Sequence, residues 1–188
     1  MKAVLISIQP HWVEKIAARW KTMELRKSKP NVPLPFKCYI YQTRHKWFFK
    51  ILRAVKLDTF ADTLESGFGK VVGEFVCDHI LGNCQMANAD LAEKQSCVRR
   101  DKIFDYSGGK QVFGWHISDL KIYDKPKNLG EFHFPPERYC EKELCGGCPF
   151  DESPDVNGEY MYGCDWERPI QTPPQSWCYV EELKCTPT

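Results

Sequence analysis

A small α+β domain, built on a mixed sheet or partly open barrel with flanking helices, is what this sequence predicts. Three observations lead there. Strand-like runs are separated by only one or two helical stretches with no repeated βαβ rhythm, which argues against a doubly wound sheet. The 188 residues, 43% of them apolar, suffice for one sizeable core or one domain with a long insertion. The glycine turn Gly67-Phe68-Gly69-Lys70 lacks the spacing of a phosphate-binding loop.

The elements follow in order. Residues 3–8 read as a strand with Val4, Ile6 and Ile8 on one face. Pro10 then opens a helix at the first-turn position that proline tolerates. That helix is expected to reach Trp20, because Val13, Ile16, Ala17 and Trp20 share one stripe. The prolines at 30, 33 and 35 impose an extended loop, and residues 36–43 follow as a strand. Residues 44–57 place Trp47, Phe48, Ile51, Leu52 and Val55 at helical spacing, with Lys46, Lys50, Arg53 and Lys56 facing away. A second helical piece follows Asp58.

Residues 70–80 and 112–123 read as two long strands, each with a glycine that marks a bulge. A helix over 90–101 takes Asp90 as its cap, and residues 179–183 form the last strand. The reading is one domain over 1–188, with 131–170 as a cysteine-rich insertion before that strand. The insertion is longer than ordinary loops, so something besides an apolar core has to hold it.

Charge and composition narrow the function. With 26 basic against 25 acidic residues, no strongly basic coat for nucleic acid exists, and any such contact needs a local patch. The apolar run Ala3-Val4-Leu5-Ile6 is far too short for a membrane span, and a cytoplasmic location is expected. Of ten cysteines, Cys38, Cys77 and Cys178 sit in strand-like runs, where thiols act as small core hydrophobes; the same reading extends to Cys84, Cys97 and Cys185.

Cys140, Cys145, Cys148 and Cys164 differ. Their Cys-x4-Cys-x2-Cys-x15-Cys spacing, with a Cys145-Gly146-Gly147-Cys148 knuckle, supplies four thiolates suited to tetrahedral zinc. The first three also match a ferredoxin-type iron–sulfur run, and free or disulfide-forming thiols are the third alternative. A four-sulfur zinc site would be structural, with no open coordination position. His133 offers a substitute ligand, although a lone histidine beside Phe132 and Phe134 is more often a packing residue.

The second chemical signal is Lys21, Glu24 and Arg26, behind the first strand and helix. In an extended chain Glu24 and Arg26 project to one side, and Lys21 joins them through the turn. A carboxylate held between two cations stays ionised and fixes both, giving a rigid grip for a base edge or phosphate. The plainer alternative is a surface salt-bridge group of little energetic worth. His11, at the start of the helix, is either a cleft residue or simply exposed.

The run Leu5-Ile6-Ser7-Ile8-Gln9-Pro10, a helix, and then Lys21-Thr22-Met23-Glu24-Leu25-Arg26 resembles the ASCH domain of the PUA-like superfamily. The family's hallmark is Gly-x-Lys-x-x-x-x-Arg, with Arg19 here in the glycine's place. Residues 114–120 and 173–180 also resemble its small bacterial and phage members, so the likeness spans 1–125 and 171–185 and leaves the insertion outside. It implies a PUA-like pseudobarrel of five or six strands, with a cleft beside the Lys-Glu-Arg loop that binds RNA or a nucleobase or nucleoside.

Some relatives are amidohydrolases acting on 4-acetylcytidine through a lysine, a threonine three residues later and a distant glutamate. Here Lys21 matches, but Glu24 occupies the nucleophile position and Thr22 stands one residue after the lysine. Other relatives are reported as ribonucleases, so a hydrolase using Lys21 and Glu24 is the competing expectation. The binding reading adds Lys27, Lys29 and the cations of 44–56 as backbone contacts, and Trp115 and Trp177 as base-stacking rings.

Overall fold

In a computed structural model of the chain, the residues described are 2–44, 67–135 and 169–183. Eight strands form two sheets. β1 (Lys2–Ile8), β3 (Phe36–Gln42), β4 (Val71–Cys77), β7 (Ser118–Lys127) and β8 (Trp177–Glu181) make a five-stranded sheet in the order β7-β4-β3-β1-β8. β2 (Met23–Arg26), β5 (Ile80–Leu81) and β6 (Phe113–His116) make a three-stranded sheet with β6 in the middle. Only the β1 and β3 pairing is parallel among these, so the sheet is mixed as expected.

Side-chain alternation sorts the core into layers. Val4, Ile6 and Ile8 of β1 share the first core with Cys38, Ile40, Phe75 and Trp115, between the two sheets. Ala3 and Leu5 point the other way, into a second core with Tyr39, Phe132 and Ile170. Met23 and Leu25, on the outer face of the small sheet, join Ala92 and Ile103 in a third core. That core is closed by α2 (Ala89–Ser96) and α3 (Arg100–Ser107).

The first helix, α1 (Pro10–Ala17), begins at Pro10 as read and buries Val13 and Ile16. It stops short of Trp20. The Arg19 N–H donates to the Ile16 carbonyl and the Trp20 N–H to the Lys15 carbonyl, both at 2.9 Å, and Arg19 is left-handed at φ 59°. This paired closure ends the helix and turns Trp20 outward, 72% exposed, with Ala17 also exposed. The ASCH hallmark carries glycine at this position, which is what a left-handed residue favours. Arg19→Gly is therefore expected to raise stability by about 0.5–1 kcal/mol, even though it removes an exposed bond to the Leu120 carbonyl. A lower melting temperature in the glycine variant would show that bond to be the stronger effect.

Both long strands read from the sequence are broken by corners. The 70–80 run leaves the large sheet after Cys77 and re-enters the small one at Ile80; the 112–123 run passes back at Ile117. Alternation carries on across each corner because both halves stay half-buried, so no pattern marks the switch. Gly73 does sit at a register shift, and a Cβ there would meet the Lys121 carbonyl oxygen at 2.6 Å. Gly114 marks no bulge: its bare Cα makes room for the Met23 side chain.

The 90–101 helix is really two, α2 and α3, separated by a left-handed Cys97. Asn88, not Asp90, holds the cap position, and Asp90 pairs with Arg100 at 3.0 Å. A 3-10 turn at Leu129–Glu131, closed by an Asn128 and Glu131 capping box, carried no periodic signal. Cys38, Cys77 and Cys84 are buried thiols, with Cys97 and Cys178 partly so. The helix expected over 44–57, apart from Arg44, and the piece after Asp58 lie outside the described residues. No helix among the described residues is long and apolar enough to cross a membrane.

Candidate functional site

Lys21, Glu24 and Arg26 meet at the inner face of the small sheet. Glu24 and Arg26 alternate inward from β2, and Glu24 stands opposite Trp115 of β6. The turn after α1 brings Lys21 round to them: its N–H donates to the Lys15 carbonyl at 3.0 Å, and the Thr22 N–H to the Gln95 carbonyl at 2.9 Å. Arg26 Nη1 reaches Glu24 Oε1 at 2.5 Å, and Lys21 Nζ lies 3.2 Å from Oε2. The side chains of Lys21, Glu24 and Arg26 are 2%, 6% and 12% exposed, so this is an enclosed ion triad and not the surface salt-bridge group.

Backbone carbonyls complete it. Lys21 Nζ donates to the Ser96 carbonyl at 2.9 Å, at the C-terminal end of α2 where a cation is favoured, and stands 5.0 Å from the centre of the Trp12 ring. Arg26 Nη2 donates to the Ser7 carbonyl at 2.6 Å and Nη1 to the Leu25 carbonyl at 3.1 Å. Burial pushes the Lys21 amine below its usual value, with Glu24 opposing that shift.

The satisfaction is incomplete. Glu24 Oε2, Arg26 Nε and Trp115 Nε1 are buried without a hydrogen-bond partner among the described residues. Lys21 approaches Oε2 as an ion pair, off the direction of a hydrogen bond. Two donors, Arg26 Nε and Trp115 Nε1, are thus left without an acceptor among the described residues, on neighbouring strands β2 and β6, although buried polar groups normally find partners.

Two expectations need correction. Trp115 offers no ring face for stacking: it is 0% exposed and packed against Phe36 and Trp177, each 5.8 Å away between ring centres. The inter-sheet core takes its volume, and its indole N–H is buried without a hydrogen-bond partner among the described residues. Nor do the triad heads line an open groove; Arg26, the most exposed of the three, marks the outer side. Lys29 is exposed on that side, 5.9 Å over the ring of Phe113, the residue paired with Arg26, and Lys27 is exposed towards α3, 4.8 Å over Tyr106. Trp177 is half-buried, its Nε1 donating to Ser28 Oγ at 3.0 Å.

Ser7, Trp12 and Ser96 were missed in the sequence. Two of them act through carbonyls, which every residue has, and Trp12 reads as ordinary packing. The cysteines Cys140, Cys145, Cys148 and Cys164 lie outside the described residues. The stems of their segment are described and clamped together: Ile170 N–H donates to the Phe132 carbonyl at 2.8 Å, and His133 bridges to Pro169. The backbone of His133 is thus part of the stem. Among the described residues no group of three or more His, Cys, Asp or Glu is placed to hold a metal ion. His11 is exposed, its ring 4.3 Å from that of Trp12.

The architecture has counterparts among solved structures. The ASCH protein of Zymomonas mobilis superposes with a TM-score of 0.56 at 16% identity, over 96% of this chain and 88% of that one. A tyrosine-to-phenylalanine variant of it gives 0.57 at 16% identity, over 97% and 92%. A serine-to-alanine variant gives 0.56 at the same identity, over 96% and 89%. No protein-family model matches the chain, and no curated protein matches it. The chain thus has the ASCH fold, the fold its Lys-x-x-x-x-Arg loop pointed to.

Proposed function

We propose that the chain recognises RNA or a nucleobase or nucleoside at the Arg26 side of the triad. The carrying observation is the enclosed Lys21, Glu24 and Arg26 group, in which two buried donors, Arg26 Nε and Trp115 Nε1, have no acceptor among the described residues. Such atoms suit a ligand with its own acceptors, as a base edge has. Glu24 holds the Arg26 guanidinium in place, Lys27 and Lys29 supply phosphate contacts, and Trp177 supplies a partly open ring.

Titration of labelled single-stranded RNA at increasing salt tests this. Affinity should fall with a log–log slope of about −1.4 if Lys27 and Lys29 both contact phosphates, and the slope should flatten in a Lys27→Ala, Lys29→Ala double variant. Affinity indifferent to salt, or no binding at all, overturns the proposal.

A hydrolytic reading has one observation of its own, the buried Lys21 amine held below its usual value beside a carboxylate. On that reading Lys21 and Glu24 act on an acylated nucleoside or on RNA. Product formed equally by the unaltered protein, Lys21→Ala and Glu24→Gln would dismiss it.

For the cysteine-rich segment, four thiolates with a glycine knuckle suit a structural zinc ion, with an iron–sulfur cluster as the alternative. Cys140, Cys145, Cys148 and Cys164 would hold the ion. Zinc would add cross-links to a segment whose two ends already meet at Phe132 and Ile170. Metal analysis should find one zinc per chain in a colourless protein; visible absorption with iron would replace zinc by a cluster, and metal-free protein would remove both.

A further inference from the structure

On the opposite face of the small sheet from the triad lies a cleft of about 350 Å³. Cross-strand pairing explains the separation. Glu24 and Trp115 point inward, whereas their neighbours Met23 and His116 form the next pair and line the outer cleft. Asp78, just past the end of β4, holds His116 Nδ1 with Oδ1 at 2.6 Å. Leu91 and Gln95 of α2 form the facing wall, Leu81 closes one side, and His79 stands at the exposed rim.

We propose that Asp78 and His116 form a general base at this second site, where small esters with an uncharged, apolar acyl group are hydrolysed. The tautomer follows from the partner. The His116 contact holds the Asp78 carboxyl below its usual range; at neutral pH it is an ionised acceptor, so the hydrogen between them belongs to Nδ1. With that hydrogen on Nδ1, Nε2 is the nitrogen that can carry a lone pair and take a proton, the arrangement a carboxylate-oriented imidazole base requires. Volume and lining suit a small ligand: Met23, Leu81 and Leu91 give apolar surface and Gln95 a neutral amide donor. Titratable groups lining the cleft are Asp78, His79 and His116; the α2 wall contributes none.

The step balances without a further reactant. His116 Nε2 takes one proton from water as its oxygen bonds to the acyl carbon, and the carbonyl electron pair moves onto oxygen, where the Gln95 amide donates a hydrogen bond. Collapse breaks the bond to the leaving alcohol, which receives the proton from the imidazolium. The acid then releases its own proton to solvent. Asp78 is a positioning residue throughout.

Turnover of p-nitrophenyl acetate and p-nitrophenyl butyrate by the full chain reads this out. Saturable hydrolysis above that of equimolar free imidazole is expected. His116→Asn should lower kcat about 100-fold. Asp78→Asn can donate to Nδ1 and so favours the wrong tautomer; it should lower kcat about 10-fold or more with KM nearly unchanged, where a merely structural role would move both or neither. Leu91→Trp, a change at an exposed helix position that spares the pair, should fill the cleft and remove saturation. His11→Gln should leave the rate as it is. The proposal fails if hydrolysis does not saturate, if His116→Asn keeps the unaltered rate, or if loss of His11 matters as much. RNA binding at the triad is unaffected by either outcome.

Discussion

Glu24→Ala is expected to lower the unfolding free energy by about 3–5 kcal/mol. The alanine leaves the Lys21 ammonium and the Arg26 guanidinium inside the protein, at 2% and 12% side-chain exposure, without their shared counter-charge. The Ser96 and Ser7 carbonyls and the Trp12 ring still hold the two cations, but these contacts are dipolar and do not neutralise them. Glu24→Gln should cost less, because its amide oxygen still accepts from Arg26. Adding Lys21→Met to Glu24→Gln should recover part of that smaller loss by removing one stranded charge. Urea denaturation of the four proteins gives the comparison. A loss under about 1 kcal/mol in the alanine variant would mean that the triad is solvated as an exposed pair is.

Phe132→Ala should be nearly as damaging, at about 3–5 kcal/mol. Its ring is 0% exposed in the second core, 4.9 Å from the Tyr39 ring, and its carbonyl receives the Ile170 N–H. Ring and carbonyl therefore do two jobs at the point where the cysteine-rich segment leaves and rejoins the domain. Loss of the ring leaves a cavity under the large sheet and loosens that clamp. Urea melts should show the same loss with and without added chelator, since Phe132 acts in the second core. Equal stability of variant and parent would refute this account of the stem.

Much of the domain was legible along the chain. β1, the start of α1 at Pro10, β3 and the last strand were readable because a proline or a short apolar alternation decides each locally. The triad was readable as residues, and its same-side projection followed from strand period alone. Trp20 was misplaced because helical spacing does not reveal where a left-handed residue closes the last turn. The two strand corners escaped because chain that stays half-buried keeps its alternation while changing sheets. Asp78 and His116 stand 38 positions apart, and no local pattern joins them.

By itself, then, the sequence determined the class of domain, the first strand, the start of the first helix, the strand at 36–42, and the identity of the charged loop, all products of short-range sterics and periodicity. Only the tertiary structure decided that the loop is enclosed, that Trp115 is core, and that the small sheet separates the triad from an aspartate–histidine cleft. Burial and charge pairing arise from contacts between segments distant in the chain, and those contacts exist only once the two sheets have packed.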